Sequence, residues 1–113
     1  MEIIKDKISI QKLKEMAEKM FGNLVKAVVD VKKETMGVDG ELHADLQGLL
    51  IENDSDWQNL WGINLYPKKS GEDFIEFDSV INIRPTQNNR SRGVDDAKIR
   101  GKVIKIVNKL VEK

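Results

Sequence analysis

Apolar positions between Ser9 and Gly22 recur with helical spacing: Ile10, Leu13, Met16, Ala17, Met20 and Phe21. At about 100° per residue they share one arc, so an amphipathic helix is expected there, with Ser9 as N-cap and Gly22 just past its end. Val25, Ala27, Val29 and Val31 alternate with Lys26, Val28, Asp30 and Lys32, the pattern of a strand with one buried face. Lys33-Glu34 could turn into a second strand through Thr35, Met36 and Val38; alternatively Asp39-Gly40 is the hairpin turn and strand character resumes at Glu41. Residues 45–53 suit a short helix capped by Asp45, and Leu60 to Tyr66 suits a strand stopped by Pro67. Phe74 to Arg84 reads as the clearest strand in the chain, with Ile75, Phe77, Ile81 and Ile83 on one face and Glu76, Asp78, Asn82 and Arg84 on the other. Asp95 or Asp96 then caps a last helix with Ile99, Val103, Ile106, Val107 and Leu110 on its apolar stripe. Residues 2–5 suit a short edge strand.

The order is β-α-β-β-(α)-β-β-α. It predicts a single α+β domain over residues 1–113, two-layered, with two long helices on a mainly antiparallel sheet of four to five strands. Nine Leu, twelve Ile and ten Val in 113 residues supply the core. The chain has no cysteine, which excludes disulfides and thiolate chemistry. No apolar run approaches the roughly 20 residues of a membrane span, and the start lacks the apolar core of a signal peptide, so a cytoplasmic protein is the default expectation.

Net charge is zero, yet unevenly spread. Residues 1–33 carry +3, residues 34–67 carry seven acids and no Lys or Arg, and residues 68–113 carry +4. Either the acidic middle packs near the basic ends, or the surface is split for a partner or a second copy. All four Arg (84, 90, 92 and 100) fall within seventeen residues.

Three segments carry a resemblance: Glu41-Leu42-His43-Ala44-Asp45, then Leu60-Trp61-Gly62-Ile63-Asn64-Leu65-Tyr66-Pro67, then Asn82-Ile83-Arg84-Pro85 with Asn89-Arg90-Ser91-Arg92-Gly93-Val94. Together they resemble a family of small prokaryotic proteins known as a domain of unknown function. The resemblance runs nearly the whole chain and implies a single-domain protein. It supplies no activity and no functional residues.

Extended backbone would place Glu41, His43 and Asp45 on one face. His43 is the only histidine, so two-imidazole metal sites are excluded; a carboxylate could still orient it as a general base. No metal and no cofactor is called for. If Tyr66 lies opposite Phe74, then Asn64 lies opposite Glu76 and Gly62 opposite Asp78, making a polar sheet face that is either solvated or the floor of a cleft. Asparagine is a poor strand former, so Asn64 and Asn82 point to hydrogen bonding. The loop from Thr86 to Val94, with Asn88, Asn89, Arg90 and Arg92 beside Arg84, runs into a helix start and could bind an anion. Asp95 and Asp96 could instead fill that helix end and pair with the arginines. Lys98, Lys102, Lys105 and Lys109 make an acid-free stripe, but overall neutrality argues against duplex DNA.

Two function classes remain. The first is a non-catalytic interaction or anion-binding module using the Arg84–Arg92 loop, whose partner is phosphate, RNA or a second copy, with Trp57 and Trp61 as anchors where exposed. The second is a small metal-independent, ribonuclease-like enzyme. In it His43 with Glu41 or Glu76 would move protons, Tyr66 would be a further donor, and Arg84 or Arg90 would hold phosphate.

Overall fold

In a computed structural model describing residues 1–113, five strands form one sheet in the order β1-β4-β3-β5-β6, every neighbouring pair antiparallel. The strands are β1 (Glu2–Ile4), β3 (Val25–Asp30), β4 (Thr35–Val38), β5 (Leu60–Leu65) and β6 (Ile75–Glu76). The helices are α1 (Ile10–Lys19), α2 (His43–Glu52) and α3 (Ala97–Leu110). A two-residue parallel pair, β2 (Ile8–Ser9) with β7 (Val111–Glu112), ties the start of α1 to the end of α3. The fold is α+β, as the pattern predicts.

Side-chain alternation in β3 explains how the helices are distributed. Val25, Ala27 and Val29 point into the main core with Leu13, Met16 and Ala17 of α1 and Val103, Ile106, Val107 and Leu110 of α3. Val28 points the other way, into a second cluster with Leu46 and Leu50 of α2 and Leu60. The expected single buried face of β3 is thus corrected: α2 covers the second face, and Val28 is fully buried there. The expected helix ends hold well. Ser9 Oγ accepts from Lys12 N, Gly22 N donates to Ala17 O at 2.6 Å, and Asp96 Oδ1 accepts from Lys98 N. Met20 and Phe21, read as part of the buried stripe, are exposed.

The alternative at residues 33–41 resolves in favour of the earlier turn. Asp30 closes it: Oδ1 accepts from the Lys32 and Lys33 amides, both at 2.9 Å, and Oδ2 accepts from Ser55 Oγ at 2.6 Å. No strand resumes at Glu41. The chain turns at Asp39, which has φ of 67°, and Gly40 lets α2 close on the sheet, since a Cβ there would lie 2.8 Å from Leu46 Cγ. Helix α2 starts at His43, two residues before the predicted capping residue. Leu42 holds the N-cap position without a side-chain bond, and Asp45 sits in the first turn instead.

The strand expected over Phe74–Arg84 is largely overturned. Its first part forms in the predicted register, Asn64 opposite Glu76 and Tyr66 N bonded to Phe74 O, but β6 ends at Glu76. Beyond it the chain makes a 3-10 turn at Val80–Asn82, capped by Ser79 Oγ accepting from Ile81 N. Gly62 is the reason. Ser79 packs where a β-carbon would be, its Cβ 2.6 Å from the ideal position, and Asn82 replaces the missing strand. Its Oδ1 accepts from Gly62 N at 2.8 Å and its Nδ2 donates to Gly62 O at 2.9 Å, so one amide side chain satisfies a backbone position left without a strand neighbour. Ile83, assigned to the apolar face by strict alternation, is consequently exposed, while Asn82 and Arg84 are buried.

Candidate polar cleft on the α2 side of the sheet

A cleft of about 600 Å³ opens where the start of α2 meets the β5–β6 hairpin and the Val80–Asn82 turn. Four of the candidate residues line it together: His43, Asn64, Tyr66 and Glu76, with Arg92 a fifth. Strand β5 supplies Asn64, the residue just past its end supplies Tyr66, and register brings Glu76 opposite Asn64. Leu24, Lys26, Leu42, Asp78 and Val80 also line the cleft. Of these, Lys26 and the exposed apolar pair Leu42 and Val80 were not singled out from sequence, because only the position of α2 brings them to one opening.

The inner wall is a hydrogen-bonded network centred on Glu76. Its Oε1 accepts from Asn64 Nδ2 at 2.8 Å and from Tyr66 Oη at 3.0 Å. Burial pushes the Tyr66 phenol up in pKa, and the bond to Glu76 and the charges of Glu76 and Asp78 act the same way. Asn64 Oδ1 is buried and accepts no hydrogen bond within 3.5 Å, in a residue only 7% exposed whose side chain faces His43. His43 Nε2 lies 2.8 Å from Ile63 O. A carbonyl only accepts, so Nε2 carries the proton and the neutral ring leaves Nδ1 as an acceptor. Burial lowers the His43 pKa below 6.5, helped by the charge of Lys26, against the raising effects of the Ile63 carbonyl, Asp78 and the Asn64 side chain.

Two cations, Lys26 and Arg92, line the same cleft without pairing with Glu76. Arg92 Nε bonds Asp78 Oδ1 at 2.6 Å, and Lys26 Nζ lies over the Phe21 ring, 5.0 Å from its centroid. The ion pairs of the chain are Arg92–Asp78 and Lys109–Glu34; Glu76 has no cationic partner. No group of three or more His, Asp or Glu side chains is placed to hold a metal ion.

The remaining candidates lie outside the cleft lining. Glu41 is exposed and, with α2 beginning at His43, does not share an extended face with the imidazole. Asn82 spends its polar atoms on Gly62 and on Arg92 O. Arg84 is buried. Its Nη2 donates to Leu60 O and its Nε to Ile81 O, and the guanidinium stacks 4.3 Å from the Trp61 centroid and 5.5 Å from that of Trp57. Burial lowers its pKa to about 10, still far above neutrality, so it is a charged staple across carbonyls. Asn89 Nδ2 donates to Asn82 O and Gly93 O, and Asn89 Oδ1 accepts from Asp95 N. Asp95 accepts from Arg90 N and Ser91 Oγ, which holds its carboxyl below the usual range. The acids at the α3 start thus bond backbone amides and a hydroxyl rather than the loop arginines. Asn88 takes a left-handed φ of 59° after the Pro85–Gln87 turn, and Arg90 is exposed. Of the tryptophans, Trp61 is core and Trp57 is 43% exposed.

Fold and site together define a small α+β domain with a polar cleft on its second sheet face. Within that class, the chain belongs to the family described as a protein of unknown function, DUF5674, which matches residues 2–110. Neither the curated proteins nor the solved structures yielded a match.

Proposed function

We propose that the domain is a non-catalytic binding module, and that its binding site is the cleft at His43, Asn64, Tyr66 and Glu76 rather than the Arg84–Arg92 loop. One observation carries this reading: Asn64 Oδ1 is buried, unpartnered, and sits in the cleft wall. An unmade buried hydrogen bond costs about 1–3 kcal/mol. A ligand that donates to this oxygen recovers that cost, which makes it an anchoring point. The volume of about 600 Å³ suits a small molecule or one inserted side chain. In the loop, by contrast, Arg84, Asn89 and Asp95 already have protein partners.

The test is a titration of the 15N-labelled protein with a panel of nucleosides, amines, amides, carboxylates and phosphate. Ligands of the module shift the Asn64 side-chain amide and the backbone amides of His43 and Tyr66, and Asn64→Ala removes the His43 and Tyr66 shifts while keeping the fold. A panel that leaves the Asn64 signal still, or that moves only residues 86–94, overturns the cleft reading; the second result restores the loop as an anion or RNA site.

A ribonuclease-like reading keeps one support, that His43, Tyr66, Glu76 and Arg92 line the same cleft. It requires cleavage of single-stranded RNA that survives EDTA and disappears in His43→Ala. Against it, the His43 Nε2–H is already committed to Ile63 O, and Arg92 is held through Nε on Asp78.

A further inference from the structure

We infer that the group inserted into this cleft is a cationic nitrogen, an alkyl guanidinium or ammonium, seated between Glu76 and Asn64. The inference rests on the binding-module reading and names the chemistry of its ligand. Three features of the wall converge on it. First, the free polar positions are acceptors: Asn64 Oδ1 has no partner, Glu76 Oε2 receives no protein donor, and His43 Nδ1 is unprotonated while Nε2–H serves Ile63 O. Guanidinium and ammonium offer only donors and match these three acceptors, whereas an anion would be confined to the other lining, at Lys26 and the outer nitrogens of Arg92. Second, Glu76 is held by neutral donors alone. Arg92 is bonded to Asp78, Lys26 rests on Phe21, and Lys69, over the Tyr66 ring at 4.7 Å, makes no ion pair with Glu76. The negative charge of Glu76 is therefore open to a ligand, and the Glu76–Tyr66 hydrogen bond fixes its direction. Third, Leu42 and Val80 border the cleft and are 56% and 64% exposed, an apolar rim suited to an alkyl stem behind a charged head.

The same chemistry arises from a free amine or guanidine and from a lysine or arginine side chain of a polypeptide, and the probes separate these sources. The labelled protein is titrated with butylguanidinium, butylammonium, butanol and butyrate, which share one stem, and with an arginine blocked at both ends. The two cations should shift the Asn64 side-chain amide and the Tyr66 resonances, with butanol and butyrate silent. Glu76→Gln, which keeps an acceptor and removes the charge, should weaken cation binding by about tenfold. Tighter binding of blocked arginine than of butylguanidinium identifies a polypeptide source; equal or weaker binding identifies a free small molecule. Butanol or butyrate binding as well as the cations, or an unchanged affinity in Glu76→Gln, overturns the inference. Should neutral nucleosides or amides shift Asn64 where the cations do not, the cationic inference falls and the binding module stands. Silence from every probe removes both.

Discussion

Replacing Asn82 tests the central local device of the fold, a side chain standing in for a strand. Asn82 is fully buried; it bonds Gly62 N and O at 2.8 and 2.9 Å, and its Nδ2 also reaches Arg92 O at 2.9 Å. Asn82→Ala leaves Gly62 N–H and C=O without those partners, while Arg92 O retains the Ser79 amide. Two orphaned backbone groups at about 1–3 kcal/mol each give a loss of about 2–6 kcal/mol, against a total stability of about 5–15 kcal/mol. Asn82→Asp sharpens the test. It keeps an acceptor for Gly62 N but faces Gly62 O and Arg92 O with a second oxygen, and it buries a charge. The folded state then favours the protonated acid, so its pKa rises above the unfolded value of about 3.9. The native state binds more protons than the unfolded chain above that value, and stability relative to Asn82→Ala falls as pH rises from about 4 towards 7. Urea unfolding followed by tryptophan fluorescence reads both variants, since buried Trp61 and exposed Trp57 both lie against Arg84. A loss under about 1 kcal/mol for Asn82→Ala, or an Asp variant no worse than Ala at pH 7, refutes the reasoning.

Gly62→Ala should cost about 2–4 kcal/mol by the same measurement, because the new methyl meets Ser79 Cβ at 2.6 Å and must displace the Ser79–Asn82 turn. Deletion from residue 98 removes the buried Val103, Ile106, Val107 and Leu110 and should abolish cooperative thermal unfolding; a sharp transition in the truncated chain would contradict the core assignment. His43 has a folded pKa below 6.5, so as pH falls from about 6.5 the unfolded chain is protonated first and stability drops, by at most about 1.4 kcal/mol per pH unit. His43→Gln should flatten that part of the pH profile of urea midpoints between pH 7.5 and 5. Arg84→Lys should destabilise by about 2 kcal/mol or more, since one ammonium cannot reproduce the planar fork on Leu60 O and Ile81 O; an unchanged melting temperature would show that charge alone suffices.

Elements held by packing of a periodic face were legible in the chain. The stripe of α3, the Ser9 cap of α1 and the Asn64–Glu76 register all follow from local spacing. Residues 79–84 were not legible, because their alternation of apolar and polar types arises from a turn rather than a pleat, and what selects the turn is Gly62, some twenty positions earlier. Position on the polar face likewise could not separate Asn64 from Asn82. Both are buried asparagines, yet Asn82 spends its amide on backbone and Asn64 keeps a free oxygen. Arg84 and Arg92 diverge for the same reason: carbonyls of three residues converge on Arg84, and Asp78 alone meets Arg92. The cleft itself depended on α2 crossing the second sheet face, which Val28 signalled only as an apolar residue on the polar side of an alternating strand.

The charge asymmetry of the sequence also acquires a direction from that crossing. Glu41, Asp45, Glu52, Asp54 and Asp56 are exposed in and around α2, while Lys98, Lys102, Lys105 and Lys109 are exposed on α3, which packs on the opposite face of the sheet. Only Glu34, at the β3–β4 turn, reaches across to Lys109, at 3.3 Å. The acidic middle therefore meets the basic ends through one ion pair only. The cleft opens on the α2 side, where Glu76 makes no ion pair. The fields of exposed charges act over about a Debye length, roughly 8–10 Å in physiological salt, and raise the local concentration of ions of opposite sign. Under the proposed reading, the exposed carboxylates around α2 would favour the approach of a cation to the buried Asn64 oxygen. Local structure pulls the same way: an asparagine in a central strand and an unmade hydrogen bond are both unfavourable for folding alone, and they coincide at the single wall position, Asn64, where a donor would reverse the cost.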